Sequence, residues 1–269
     1  MPIHDHQLAQ LTTTYQHIYL SPHLDDAALS CGGSIARYAT AGAPVLVVNI
    51  CSGALPPAAH LSPFAQLLHE RWGLPSAEAV ARRLHEDAVA LETLGADRLQ
   101  LDLLDAIYRM PEHYTDDATL FGTVADDDPL AVQLGDYLAA LAARFPEAIF
   151  YAPLGVGHHV DHQAVYTTAR MLHQHGTRVA FYEDFPYVTR AGALAQRLDE
   201  LGGQASFTPV VTAIDNTLAR KIVAIEAYAS QLGVLFGDRL AMVQAVRAYA
   251  ATVPPDTGSY GERIWTVAR

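Results

Sequence analysis

His17-Ile18-Tyr19-Leu20-Ser21-Pro22-His23-Leu24-Asp25-Asp26-Ala27-Ala28-Leu29 is the stretch on which the fold turns. His17–Leu20 is β-branched, aromatic and apolar and reads as a buried strand. Ala27–Thr40 carries a helical period, and between the two lies a tight turn crowded with a histidine and two carboxylates. The rhythm recurs downstream. Strands are predicted at Val45–Ile50, Leu99–Leu103, Ala148–Ala152 and Val179–Tyr182. Helices are predicted at Ser76–Leu94, Pro129–Arg144, Val160–His175, closed by Gly176, and Thr217–Ser230. Strands joined by helical crossovers need a mainly parallel sheet covered on both faces, so the expected fold is α/β, three-layered and Rossmann-like. In such sheets ligands bind beyond the carboxyl ends of the strands, which directs attention to the residues after Leu20, Ile50, Leu103, Ala152 and Tyr182.

Composition narrows the function classes. The chain has 269 residues, 51% hydrophobic and 17% charged, enough for a large core and read as a single domain over 1–269. A formal charge of −12 sets an unfavourable mean field for nucleic acid or an anionic membrane. Cys31 and Cys51 are too few for a disulfide framework and read as packed small hydrophobes. The amino terminus lacks a basic and then apolar leader, and no stretch is long and uncharged enough to span a bilayer, so a cytoplasmic protein is expected. Gly32 and Gly33 cost roughly 1 kcal/mol each in a helix and mark close packing there. CGGSIA lacks the spacing of a dinucleotide-binding turn. Ser52–Pro75 and Arg109–Asp128 read as long loops or lids. Beyond Pro209 one more helical segment and the tail GSYGERIWTVAR, an added edge strand, are expected.

Two clusters carry chemistry. His23 and a carboxylate three residues on can converge on one divalent ion, leaving a carboxylate between them for proton transfer. The plainer alternative is a helix cap from Asp25 or Asp26 beside a loop histidine. After the Ala148–Ala152 strand come His158-His159-Val160-Asp161-His162 at a helix start. His159 and His162 face the same way, so one can bind metal while the other reaches a group held on it, and Asp161 can orient an imidazole. The plainer alternative is a solvated helix start. Together the clusters offer two histidines and one aspartate as ligands, plus a spare acid and base; a catalytic zinc site needs three protein ligands and an open position.

At these residues the sequence resembles the PIG-L/LmbE-like family of metal-dependent N-deacetylases, whose pattern is PHPDD near the amino terminus and HxDH near mid-chain. Pro22-His23-Leu24-Asp25-Asp26 departs only at Leu24, and His159-Val160-Asp161-His162 matches throughout. Arg83, Glu86, Ala90 and Leu94-Gly95 repeat a third family pattern, and the likeness runs from about Tyr19 to Phe185. The resemblance implies that His23, Asp26 and His162 hold zinc, a ligand set that also suits Fe(II). It further implies Asp25 as general base, His159 as general acid or oxyanion stabiliser, Asp161 as support for a histidine, and Arg83 and Asp105 on substrate hydroxyls. The implied reaction removes an N-acetyl group from an N-acetylglucosamine-type sugar or its conjugate. Rivals are an amidase on a non-sugar or thiol-conjugate amide and a non-catalytic sugar-binding module. No motif encodes the aglycone, the acyl length or whether the chain forms a homo-oligomer.

Several residues keep two readings. Arg83 can instead pair with Asp87, and Asp105 can simply end a strand. Arg109 can meet substrate or a neighbouring acid. Glu183–Tyr187 suits either a pocket rim or a packed turn, and Asp126–Asp128 reads as a solvated helix start.

Overall fold

Five parallel strands, β1 (His17–Ser21), β2 (Val45–Asn49), β3 (Asp97–Gln100), β4 (Ile149–Pro153) and β5 (Arg178–Tyr182), form most of a seven-stranded sheet. The molecule is a computed structural model describing residues 8, 11–56, 60–73 and 76–268. With β6 (Phe207–Ala213) and β7 (Gly261–Val267) the order is β3-β2-β1-β4-β5-β7-β6, with β7 antiparallel to both neighbours. The α/β fold anticipated from the sequence is therefore observed.

Alternation along each strand sends side chains to opposite layers. Ile18, Leu20, Leu46, Val48 and Phe150 enter one buried cluster, and Tyr19, Val45, Val47 and Tyr151 the other. The first layer is covered by α6 (Leu130–Arg144) and α7 (Val160–Gln174), which pack on each other. The second is covered by α1 (Asp26–Thr40), α3 (Ser76–Leu94) and α9 (Leu218–Glu226). The expected close packing at the α1 glycines is present: a Cβ on Gly33 would stand 2.7 Å from Ile214, and one on Gly32 3.0 Å from Lys221.

The structure corrects five expectations. The third strand ends at Gln100, because only Asp97–Gln100 lie in register with β2; Leu101 is buried beyond the ladder. The Ser52–Pro75 loop contains α2 (Pro63–Trp72), started by Ser62 accepting from the Ala65 amide and ended at Gly73 with φ 64°. Residues 57–59 and 74–75 of that loop lie outside the described residues. Arg109–Asp128 begins at the last residue of α4 (Ala106–Arg109) and contains α5 (Asp117–Leu120), the latter entered through a capping box from Asp116. Finally, beyond α8 (Ala193–Glu200), Thr217–Ser230 breaks into α9 and α10 (Ala229–Phe236), followed by α11 (Arg239–Thr252). The tail strand is internal, because Phe207–Ala213 pairs outside it and takes the edge. Pro209, lacking an N–H, is tolerated there.

β1 lies between β2 and β4, so crossovers leave it in opposite directions and open a crevice at its carboxyl end. One buried acid fastens the flank of that crevice. Asp87, 1% exposed, accepts from Asn49 Nδ2 at 2.6 Å and from the Tyr228 hydroxyl at 2.9 Å. Burial outweighs those donors and lifts its carboxyl to about 7. The folded chain thus holds a proton that an unfolded aspartate releases near pH ~3.9, so stability falls as pH rises from about 4 to 7 and levels off above. Asp87→Asn should remove this slope. Urea titrations of both proteins between pH 4 and 8 should diverge by on the order of 2–4 kcal/mol, and parallel profiles would refute the assignment.

Candidate active site

The first cluster is shaped by the β1–α1 turn. Ser21 Oγ accepts from the Ala27 amide and donates to the His23 carbonyl, closing the turn. Asp26 Oδ2 accepts the His23 amide at 2.7 Å and lies 3.3 Å from His23 Nδ1. The second cluster follows β4 through Gly155 and Gly157, both at positive φ. A Cβ on Gly157 would meet Tyr187 at 2.7 Å, so only glycine lets the loop pass. His158 also adopts positive φ, at 67°.

Because β1 and β4 are neighbours, the clusters meet. His162 Nε2 stands 3.3 Å from the same Asp26 Oδ2, and the His23 and His162 ring centroids are 5.3 Å apart. A ligand atom from each of His23, His159 and His162 lies within 4.8 Å of the others, so His159 borders the same space. Outward-facing nitrogens have carboxylate partners: His23 Nε2 lies 3.0 Å from Asp161 Oδ2, and His162 Nδ1 lies 2.7 Å from Asp184 Oδ1. Those contacts fix the tautomers by leaving the lone pairs of His23 Nδ1 and His162 Nε2 facing Asp26. His162 Nε2 is buried without a hydrogen bond. Such an orphan beside a carboxylate and a second imidazole suits a divalent cation.

Electrostatics agree with an appetite for positive charge. Burial opposes the charged form of His23, yet Asp105, Asp161 and Asp26 outweigh it and raise its basicity well above the ordinary value. His162, buried but beside Asp26 and Asp184, is pushed up to about 9. Protons and cations compete for these lone pairs. His159 moves the other way, depressed by burial and by His23. Its Nδ1 accepts the Asp161 amide at 3.2 Å, which puts its proton on Nε2.

The remaining predicted residues separate into rim and foundation. Asp25, Arg83 and Asp105 line a cavity of about 250 Å³ together with His23, Asp26 and His159. Arg83 reaches Asp25 at 3.6 Å and stacks over Trp72, while Asp87 is taken by Asn49 and Tyr228, so the alternative Arg83–Asp87 pair is not formed. Burial raises the Asp25 carboxyl, and Arg83 counters. Asp105 caps α4 and lies 3.4 Å from His23. Asp161 is fully buried below the cavity, and its imidazole partner is His23, 138 residues away, rather than a neighbour in its own cluster.

Sequence reasoning left Arg109 between substrate and a neighbouring acid, and the structure gives it two acids. Arg109 donates to both oxygens of Asp128 at 2.8 Å and to Asp161 Oδ1 at 2.6 Å. Asp128, read as solvated, instead has a buried side chain that accepts from the Tyr114 hydroxyl and from the Leu130 amide at the start of α6. Asp184 accepts two further hydrogen bonds, from the Gly155 and Val156 amides at 2.8 Å, and so ties His162 to its own loop. Its position after β5 was the available signal. Glu183 is a packed anchor, not rim: Trp265, Arg263 and Tyr249 all donate to it. Cys31 and Cys51 are buried and free.

Comparison with known proteins adds independent findings. The family profile described as GlcNAc-PI de-N-acetylase (PIG-L) matches residues 18–173. A 2'-N-acetylparomamine deacetylase from Niallia circulans is 30% identical over 242 residues, covering 82% of each chain. The solved deacetylase–teicoplanin complex is 31% identical, with TM-score 0.76 over 94% of this chain and 98% of that one. The zinc-inhibited form of teicoplanin deacetylase Orf2 is 28% identical, with TM-score 0.76 and the same coverage. Among the described residues, no helix is long and apolar enough to cross a membrane.

Proposed function

The chain belongs to the PIG-L family of GlcNAc-PI de-N-acetylases, and on that premise we propose that it hydrolyses the N-acetyl group of an amino sugar carried on a larger conjugate. The observation that carries the proposal is the buried, unbonded His162 Nε2 facing Asp26 beside His23. In this reading His23, Asp26 and His162 hold zinc, with Fe(II) an acceptable substitute for the same donors. The bound cation supplies Lewis acidity and lowers the pKa of its water.

The protein's own groups do the rest. Asp25 sits in the cavity outside the donor set, with one oxygen toward Arg83, and takes the proton of the attacking water. His159, its Nδ1 engaged by a backbone amide, donates from Nε2 to the oxyanion that develops on the acyl oxygen. That geometry favours oxyanion stabilisation over proton storage, and Asp25 then returns its proton to the departing amine. Asp161 and Asp184 keep the two imidazoles from rotating. Arg83 and Asp105 supply a donor and an acceptor for sugar hydroxyls at the cavity wall.

Chelation should abolish amine release from an N-acetylglucosamine conjugate, and one equivalent of Zn²⁺ or Fe²⁺ should restore it. A chelated protein, shown metal-free by elemental analysis, that keeps its full rate would exclude this function.

A further inference from the structure

Lys221 on α9 and Glu262 on β7 form a buried ion pair at 2.7 Å, outside the lining of the catalytic cavity. Desolvation offsets most of what such a pair gains, so stability alone does not account for it. Its two charges instead meet α1 at both ends of one rung of the helix. The Ser34 amide, which in a regular helix bonds the carbonyl of Ser30, donates to Glu262 Oε2 at 2.7 Å. That Ser30 carbonyl accepts from Lys221 Nζ at 3.3 Å. The Gly33 amide donates to Glu262 Oε1 at 2.9 Å, and the absence of a Cβ at Gly32 makes room for the Lys221 stem.

Ser30 also faces the site. It lies one turn beyond Asp26 on α1, and its Oγ accepts the Phe185 amide at 3.1 Å. Phe185 follows Asp184, the carboxylate that holds His162 Nδ1. Lys221 Nζ stands 5.9 Å from the Phe185 ring centre, so one ammonium contacts both sides of this junction. Ser30 therefore joins the helix that supplies Asp26 to the turn that orients His162. The gap it spans is a sensitive one: Asp26 Oδ2 and His162 Nε2 are 3.3 Å apart, about the separation of two donors on one tetrahedral zinc ion.

Resting on the metal-dependent function proposed above, we infer that Ser30, gripped by the Lys221–Glu262 pair, is a positioning residue that sets the spacing of Asp26 and His162 for a divalent cation.

Competition for Zn²⁺ against a chromogenic chelator tests this apart from turnover, with urea titration of the same samples. Ser30→Ala removes the hydroxyl while keeping a good helix former, and should weaken Zn²⁺ binding by about tenfold, the lower end of the loss when a ligand's support is removed. Thr217→Val is the control. It breaks a buried bond to the same helix, from Thr217 Oγ1 to the Gly33 carbonyl at 2.8 Å, without touching Ser30 or Phe185. Its Zn²⁺ affinity should stay within about twofold of the parent's, even where the urea midpoint falls. Lys221→Met/Glu262→Gln removes both charges together, so neither is left buried alone, and should also weaken Zn²⁺ binding by about tenfold. Adding Ser30→Ala to that pair should cost little more, because all three residues act through one contact.

A Ser30→Ala protein with the parent's affinity would overturn the inference. Equal weakening in Thr217→Val would do the same, since it marks a general loosening of α1. Additive losses in the triple variant would detach the ion pair from Ser30 and overturn the arrangement as stated. Where the ion-pair variant loses its cooperative urea transition, the contrast between Ser30→Ala and Thr217→Val decides alone. A parent that binds no Zn²⁺ would overturn the metal-dependent function and this inference together. A parent that binds Zn²⁺ and shows the contrast, yet releases no amine from an N-acetylglucosamine conjugate, would overturn the deacetylase function and leave the positioning role standing.

Discussion

Asp25→Asn should lower kcat for amide hydrolysis by roughly 10²- to 10⁴-fold, the contribution of a positioned general base, while divalent-cation binding is retained. The two effects separate because of where Asp25 points. It lines the cavity and contacts Arg83 at 3.6 Å, whereas the convergence of His23 and His162 is on Asp26. Asparagine preserves size and one carbonyl oxygen but cannot accept the proton of an attacking water. Steady-state kinetics combined with competition against a chromogenic chelator measure both quantities. An unchanged kcat would remove Asp25 from the mechanism, and loss of the metal together with the rate would move it into the ligand set.

Arg109→Met should be the most destabilising of the substitutions considered, at about 3–5 kcal/mol, because removing one member of a buried ion cluster leaves the others without counter-charge. Arg109 is the shared cation of Asp128 and Asp161, both almost wholly buried. Denaturant titration should show a lowered midpoint with an unchanged slope. A second consequence reaches the site. Asp161 holds His23 by its other oxygen, so a loosened Asp161 should weaken cation affinity by about 10- to 100-fold. Adding Asp128→Asn removes one uncompensated charge and should recover part of the stability without recovering the affinity. A loss under about 1 kcal/mol would show that the cluster is solvated after all.

The site was legible in the chain to an uneven depth. His23, Asp25, Asp26, His159 and His162 announced themselves because each follows a predicted strand at its carboxyl end, where an α/β sheet presents its ligands. Asp184 stands in an equivalent place after β5, where the Glu183–Tyr187 segment reads equally as pocket rim or packed turn, since one acid in an aromatic turn has many structural uses. Asp128 was hidden further. Acidic runs before a proline are ordinarily solvated, and only its burial against Arg109 and Tyr114 reveals a different role. In the fold, α2 was masked by a Pro- and Ala-rich segment, although Ser62-Pro63 is a helix-start signal. The apolar tail strand was recognisable, but its partner Phe207–Ala213 was not. Only Phe207 of that strand's seven residues is buried: Thr208, Pro209 and Val210 are exposed in succession and Val211–Ala213 are half-buried, so no alternation marks it.

By itself the sequence determined the α/β class, the strand ends at which chemistry gathers, and the kinds of donor atom available there. These are local properties, carried by periodicity and by short spacings within one turn. Tertiary structure alone decided that β1 and β4 lie side by side, that His23 is held by Asp161 from the other cluster, and that Arg109 and Asp184 anchor the pair. Strand order and the burial of a charge depend on how distant segments share a low-dielectric interior, and no window of residues contains that information.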